Sequence, residues 1–371
     1  MKYSKILLCI IIFTLLAAGC PGPKPKETKP APQAQQEADP VAELVAVKAA
    51  KAPDIDGKSE AAWDDAKEIQ IPVANAAKLQ NNTGGKYVDG KTTVSVKAMY
   101  DPQNLYMQFK WADPTKSMAR TPWITEGEKL AKKDPKEFYE DKLAINWNIN
   151  NSVADFNKKG CAVVCHGTDV TDEETGRKYI KHWTNGDNEL LDIWHWKLTR
   201  QNSLFGPDKP GLMHDQYMDN AQFDPKENTK GGRHADPGEK EYKPNESEDT
   251  NQPILVHDGP PANGNPYVIV DGLDKTKPFD PAMVDDMKEG DFIAGNIAKQ
   301  ITGDPADIKA KGNYADGKWT LEIQRPLTTQ SNKDIQFDDP GKEYYFGIVG
   351  FDNSQIGHAY QKGVNRLTFA Q

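Results

Sequence analysis

Between Thr92 and Trp111 apolar and polar residues alternate through two successive runs, and no other feature restricts the fold of this chain so strongly. Val94, Val96, Ala98 and Tyr100 share one face of the first run, and Leu105, Met107, Phe109 and Trp111 share one face of the second. Such alternation marks a half-buried strand, because a helix would repeat its apolar residues every three to four positions. Asp101-Pro102-Gln103-Asn104 lies between the runs and has the composition of a tight turn, so the two strands pair as a hairpin. The same pattern returns in Leu143, Ile145, Trp147 and Ile149, and in Trp319, Leu321 and Ile323 after the turn Asp316-Gly317. Tyr344 to Phe351 and Leu367 to Phe369 read as late strands. Only Thr125 to Asp141 and Asp280 to Asn296 have helical composition, each broken by Pro or Gly. Many patterned strands with few helices predict a mostly β chain: an antiparallel β-sandwich with long loops and a few short helices.

The first twenty residues stand apart. Lys2 and Lys5 precede an apolar run from Ile6 to Leu16, and Leu16-Ala17-Ala18-Gly19-Cys20 ends it, which is the layout of an export signal peptide. That ending looks like a bacterial lipobox, which implies cleavage before Cys20 and lipidation of its thiol. Residues 21–45, rich in Pro, Lys, Gln and Glu without an apolar period, are expected to be a flexible tether. Residues 46–371 are then one β-sandwich domain, in which 150–253 forms a long loop insertion. Removing Lys2 and Lys5 takes the formal net charge from −9 to −11, which argues against nucleic acid or anionic lipid as a partner. A lipid on Cys20, rather than charge, would hold the protein to a membrane on the periplasmic or cell-surface side.

Apart from Cys9 and Cys20, the cysteines are Cys161 and Cys165, within Gly160-Cys161-Ala162-Val163-Val164-Cys165-His166-Gly167. Covalent heme needs two thiols to add across its vinyl groups and an imidazole directly after the second thiol to reach the iron. Cys-x-x-x-Cys-His meets that need with one residue more than the usual spacing, and the flanking glycines suit a loop pressed against a flat ligand. A small-loop disulfide, a zinc site completed by His166 and His182, or a redox pair would use the same residues. In an exported protein free thiolates rarely persist, which counts against zinc and leaves heme or a disulfide.

The stretch from about Asn150 to Pro253 carries five of the seven histidines, His166, His182, His195, His214 and His234, with Trp183, Trp194, Trp196, Met213 and Met218. A loop this long inside a domain is usually functional or disordered, and Trp and His are suited to pack on a porphyrin. For His214, His234, His257 and His358 a solvated loop position is expected.

Leu191-Asp192-Ile193-Trp194-His195-Trp196-Lys197, downstream of the cysteine motif, resembles the heme-binding domains related to the ethylbenzene dehydrogenase gamma subunit and other heme subunits of DMSO-reductase-type enzymes. Tyr100-Asp101-Pro102-Gln103-Asn104-Leu105-Tyr106, Trp111-Ala112-Asp113-Pro114, Asp316-Gly317-Lys318-Trp319-Thr320 and Arg325-Pro326-Leu327 carry the same likeness. Asp56-Gly57 followed by Trp63 is shared with related carbohydrate-binding modules of the family-9 type. The resemblance spans roughly residues 48–370, and within the family this chain is most like the c-type branch with Cys-x-x-x-Cys-His. It implies a sandwich that carries one heme in its inter-strand loops and passes electrons, to or from a partner such as a molybdenum oxidoreductase or another cytochrome.

At Lys181-His182-Trp183-Thr184 the chain departs from the family, placing His182 where an axial Met is expected. The resemblance therefore implies His166 and His182 as iron ligands, with Met213 and Met218 as alternatives and Trp194, His195 and Trp196 lining the heme. The expected function is that of a lipid-anchored monoheme cytochrome without enzyme activity of its own. No nucleophile-base-orienter set stands out. Two other functions use the same residues: a sugar-binding sandwich with a Cys161–Cys165 disulfide and stacking Trp183, Trp194 and Trp196, or a heme sensor or peroxidase with an open distal position.

Overall fold

Among the described residues the main sheet has thirteen strands, eleven of which form its continuous path: β1 (Ala42–Lys48), β2 (Ile69–Val73), β3 (Thr92–Tyr100), β4 (Asn104–Ala112), β5 (Lys142–Asn148), β6 (Leu191–Lys197), β7 (Gly211–Met218), β8 (Ile308–Ala315), β9 (Lys318–Pro326), β10 (Tyr344–Phe351) and β11 (Asn365–Phe369). The structure is a computed structural model and describes residues 41–74, 87–165, 169–171, 178–222 and 231–371. The signal peptide, Cys20, most of the tether and His166 lie outside the described residues. One compact unit runs from Ala38 to Gln371. Its first strand starts at Ala42, inside the stretch expected to be tether.

The hairpin that opened the sequence forms as expected, with Val94 opposite Trp111 and Ala98 opposite Met107. Asp101 sets its turn by accepting from the backbone N–H groups of Gln103 at 2.8 Å and Asn104 at 2.7 Å. β8 and β9 are joined by Asp316-Gly317 with φ of 50° and 72°. Two left-handed residues give the type I′ turn whose twist suits a hairpin.

The strands close on themselves as a flattened ten-strand barrel, in the order β1-β11-β10-β5-β6-β7-β8-β9-β4-β3 and back to β1, with β2 on the free part of the β3 edge. Two corner strands belong to both walls. β1 pairs with β11 through Ala42–Ala46 and then with β3 through Val47 and Lys48, both in parallel. β7 pairs with β8 through Gly211–Met213 and with β6 through His214, Asp215, Gln216, Tyr217 and Met218. All other neighbours in the ring are antiparallel.

The interior is aromatic. Trp147, Trp194, Phe337 and Phe346 pack together, with centroids from Trp147 of 5.0, 5.2 and 4.7 Å. Trp196 meets Trp319 across the barrel at 5.3 Å. Gly312 makes room for it, since a Cβ there would lie 2.3 Å from the Trp196 ring. Each fully buried large side chain contributes about 1.5–3 kcal/mol, so this cluster is the main source of the wall-to-wall cohesion.

Three expectations fail. The 150–253 stretch is not a loop, because β6 and β7 are central strands of one wall. Both faces of β6 are buried, which hides the alternation that a half-buried strand would show. Thr125 to Asp141 is not helical: Trp123–Glu126 and Lys129–Lys132 form a hairpin that turns at Gly127, φ 61°. Asp280 to Asn296 holds only a 3-10 turn at Pro281–Asp286 and a short strand, Phe292–Ile293. Lys, Glu and Asp supplied helix-forming composition in both, but without an apolar face at helical spacing there was nothing for a helix to bury.

Candidate functional site on the outer face of the barrel

Parity along the strands divides the predicted site residues between two faces. Leu143, Ile145 and Trp147 point into the barrel, so Lys142, Ala144, Asn146 and Asn148 point out. The register pairs Asn146 with Ile193 and Ala144 with His195, which puts His195 and Lys197 on that outer face. His214 and Gln216 follow from the pairing of β6 with β7, and Gly347, Val349 and Phe351 from that of β5 with β10.

Cys161 and Cys165 sit on this face. The segment from Val153 to Val164 folds over one end of it, packing Val153, Phe156 and Val164 on Leu191, Ile193, Met218 and Val364, with Cys165 at the margin of that cluster. Gly160 fixes the start of the motif: its φ is 56°, and a Cβ would lie 2.0 Å from the Gly363 carbonyl oxygen. The Cys161 sulfur is seated on the sheet, where Asn146 Nδ2 donates to it at 3.1 Å. A Cβ on Gly347 would lie 2.8 Å from the same sulfur. The cysteines are separate thiols rather than a disulfide. Burial pushes Cys161 up to about 11 and Cys165 upward as well, so both are protonated thiols. Protonated, desolvated sulfur is a poor start for a zinc thiolate.

Further along the same face the chemistry turns cationic. Lys142, Lys197 and Arg200 face the carboxylates of Glu140 and Glu241, and Arg233 is close enough to Arg200 to be lowered by it. Arg200 Nε pairs with Glu140 at 2.5 Å, and Glu241 takes Lys197 together with His214 Nδ1 at 3.6 Å. Lys142 has no ion pair with a described carboxylate; its ammonium donates to the Gln355 carbonyl at 3.0 Å and lies 3.9 Å from the Phe351 ring centroid. Burial, then neighbouring cations, hold Lys142 well below the usual lysine range, and burial brings Lys197 down to about 8. Glu241, by contrast, is held down to about 2 against its own burial by Lys197, His214 and Arg200. Positive charge exceeds negative here, and buried cations without counter-ions are costly. Cys165 and His358 are half-buried and Arg233 is exposed, so this face keeps contact with solvent.

The predicted residues fall unevenly on this face. His195 is buried on the outer face; its Nδ1 meets Gln216 Oε1 at 3.3 Å, its ring stacks on Phe351, and its Nε2 has no hydrogen-bond partner. Burial and the surrounding cations keep its imidazole neutral, well below the usual histidine range. Lys181 and Cys165 each act on the other's titration. His182 is half-buried, with its Nε2 2.6 Å from where a Gly231 Cβ would be.

Trp194 and Trp196 do not line the site. They point to the opposite face of β6, into the barrel, and neither is exposed. Met213 is likewise in the barrel core, while Met218 lies on the outer face beneath the cysteine segment. Trp183, Trp194 and Trp196 are all buried and offer no platform for a sugar ring. His214 and His358 are not solvated loop residues: the first is a buried member of β7 and the second packs on Phe351 at 4.7 Å. Lys142, Arg200, Arg233 and Glu241 were missed, because a buried charge looks like a surface charge until the pairing of strands is known. The signal that could have found Lys142 is its place at the head of a strand whose other outward residues, Ala144 and Asn146, are also small or polar.

A family model described as ethylbenzene dehydrogenase matches residues 60–363. The chain belongs to the ethylbenzene dehydrogenase family. Among solved structures it is similar to a family-9 carbohydrate-binding module from Caldicellulosiruptor kristjanssonii in complex with glucose, at 10% identity and a TM-score of 0.33, covering 90% of this chain and 97% of that one. The cellotriose complex of such a module matches at 9% identity and 0.32, covering 89% and 95%. No curated protein matches. The family extends across the cysteine segment, β6 and the β9 strand that closes the barrel.

Proposed function

We propose that this member of the ethylbenzene dehydrogenase family is a c-type monoheme cytochrome that carries electrons outside the cytoplasm. The observation that carries the proposal is the seating of two unbonded thiols, Cys161 and Cys165, at one end of the outer face whose other end carries the buried Lys142, Lys197 and Arg200. Cys161 and Cys165 would hold the vinyl groups of heme c and His166 the iron. Lys142, Lys197 and Arg233 would receive its two propionates, offsetting charge that the protein alone leaves unbalanced. When bound, the group supplies reversible one-electron exchange between ferric and ferrous iron. The residues do the rest. Asn146 orients the Cys161 sulfur, Gly347 leaves it space, and Phe156, Val164 and Met218 exclude water from that end of the face. His182 would supply the second ligand to the iron; His195, with its unpartnered Nε2, is the alternative.

The protein would be exported and anchored through lipid on Cys20. No helix of the described residues is long and apolar enough to cross a membrane. A redox protein, such as a molybdenum oxidoreductase or another cytochrome, is the proposed partner. The test is the intact mass of protein made with heme-maturation machinery, together with a denaturing pyridine spectrum. One added porphyrin that survives denaturation, lost on Cys161→Ser and Cys165→Ser together, is the expected result. A colourless wild-type protein with a Cys161–Cys165 disulfide would refute it, and ready carbon monoxide binding by the native reduced protein would replace electron transfer with sensing or peroxidase chemistry.

A further inference from the structure

Charge gathers inside one end of the barrel. Asp192 on β6 and Arg325 on β9 lie two residues from the inward Trp194 and Ile323, and Asp215 on β7 stands opposite Trp194, so all three face inward. None of them is exposed. The guanidinium of Arg325 lies 3.6, 3.9 and 3.2 Å from carboxylate oxygens of Asp192, Asp215 and Asp334, so one cation is shared among three carboxylates. Asp215, Asp307 and Asp334 bring an oxygen each to within 4.8 Å of one another. Neither oxygen of Asp307 has a hydrogen-bond partner, and neither does Asp334 Oδ1; the other Asp334 oxygen accepts from the Thr329 hydroxyl at 2.7 Å.

Another side chain aims at the same place from a different segment. The short strand Arg233–Ala235 pairs along β7, and the chain after it meets the 3-10 turn Asp304–Ala306, where a Cβ on Gly238 would lie 2.9 Å from the Pro305 ring. Asp236 is 4% exposed and has no partner for either oxygen. It and Asp304 each bring a carboxylate oxygen to within 4.8 Å of one on Asp334. Among the described residues Asp236 and Asp307 have no ion pair and no hydrogen bond to either oxygen. Burying ionised carboxylates in this way is costly, and native structures leave few such atoms unsatisfied. Burial and the neighbouring aspartates push Asp236 up to about 8, so in the ion-free chain a proton does the neutralising.

We propose that Asp236, Asp304 and Asp334 bind a calcium ion at this end of the barrel, with Asp307 beside them as a further oxygen donor. Arg325 remains with Asp192 and Asp215. The donors are all hard oxygen, which selects the calcium and magnesium class over zinc or copper. Calcium bonds of about 2.3–2.6 Å place opposite ligands roughly 5 Å apart, and calcium tolerates the irregular shell that three separate segments provide. The ion would tie the Arg233–Ala235 strand, the turn before β8 and the loop after β9 to one another. Nothing in this inference rests on the heme.

The experiment uses the full chain stripped with EDTA. Calcium chloride is titrated against its thermal unfolding, and bound ion is counted by equilibrium dialysis with radioactive calcium. One ion per chain is expected, with a melting temperature that climbs with the logarithm of calcium concentration. Asp236→Asn and Asp304→Asn should each weaken calcium binding by about tenfold or more, since the charge of the ligands sets calcium affinity. Asp285→Asn, at an exposed position of the turn Pro281–Asp286, should bind as the wild type does. Asp236→Asn removes a charge but no bond within the chain, so the variant keeps its fold. At neutral pH it should melt no lower than the wild type in EDTA and below it in saturating calcium. An equal deficit in both conditions would overturn the proposal. So would a wild type that neither binds calcium nor responds to it, full calcium binding by both Asp236→Asn and Asp304→Asn, or magnesium acting at lower concentration than calcium.

Discussion

Replacing Gly347 by Ala tests the seat of the Cys161 sulfur with a single methyl group. Gly347 is a strand residue without positive φ, so the backbone accepts alanine, and the lost chain entropy of glycine alone favours the variant by about 0.5–1 kcal/mol. Against this, the new Cβ would sit 2.8 Å from Cys161 Sγ and 3.8 Å from its backbone nitrogen. Carbon and sulfur cannot approach so closely. Either the sulfur moves off Asn146, giving up its hydrogen bond, or the strand bends; overpacking of this kind costs about 1–3 kcal/mol. Steric cost outweighs entropy, and the heme-free variant should be less stable by about 1–2 kcal/mol, read from urea unfolding at unchanged m-value. The displaced thiol should also attach heme poorly, so intact mass after denaturation should show a larger colourless fraction and peptide mapping a loss at Cys161 above that at Cys165. A variant as stable as the wild type, with both linkages complete, would refute the seat and with it the site's geometry.

Asp236, 4% exposed with neither carboxylate oxygen hydrogen-bonded, is raised to about 8 by burial and then by Asp192 and other aspartates. A carboxyl raised in the fold gives stability that is present below about pH 4 and is lost as pH rises towards 8. In EDTA, Asp236→Asn should therefore match the wild type at about pH 4 and melt higher at about pH 9 by several degrees, and a constant difference between the two would count against the assignment. Trp194→Ala should cost about 3–5 kcal/mol as a core deletion while leaving the iron spectrum of any folded protein unchanged; an altered spectrum would put Trp194 back at the heme. His182→Ala should convert the iron to a high-spin form open to carbon monoxide and His195→Ala should not, and the reverse result would transfer the ligand role to His195.

The strands with one wet or one thin face were legible: β3, β4 and β9 show their alternation because their outward residues include Ser95, Lys97, Lys110 and Thr320. β6 was not, since Leu191 and Ile193 cover one face while Trp194 and Trp196 fill the other. Its tryptophans were read as cofactor contacts because tryptophan suits both a core and a porphyrin, and only the register with β5 decides between them. The cysteine motif announced itself by residue type and spacing. Its cationic surroundings did not, because Lys142, Arg200 and Arg233 come from separated segments that only closure of the barrel assembles.

β1 and β11, more than three hundred residues apart in the chain, lie side by side in parallel. Closing so long a loop comes late, because its entropy must be met before its contacts repay it. As the chain emerges end first, the segment with Cys161 and Cys165 is complete long before β10 brings Gly347 beneath it. A maturation enzyme would thus meet both thiols before the wall beneath them is complete.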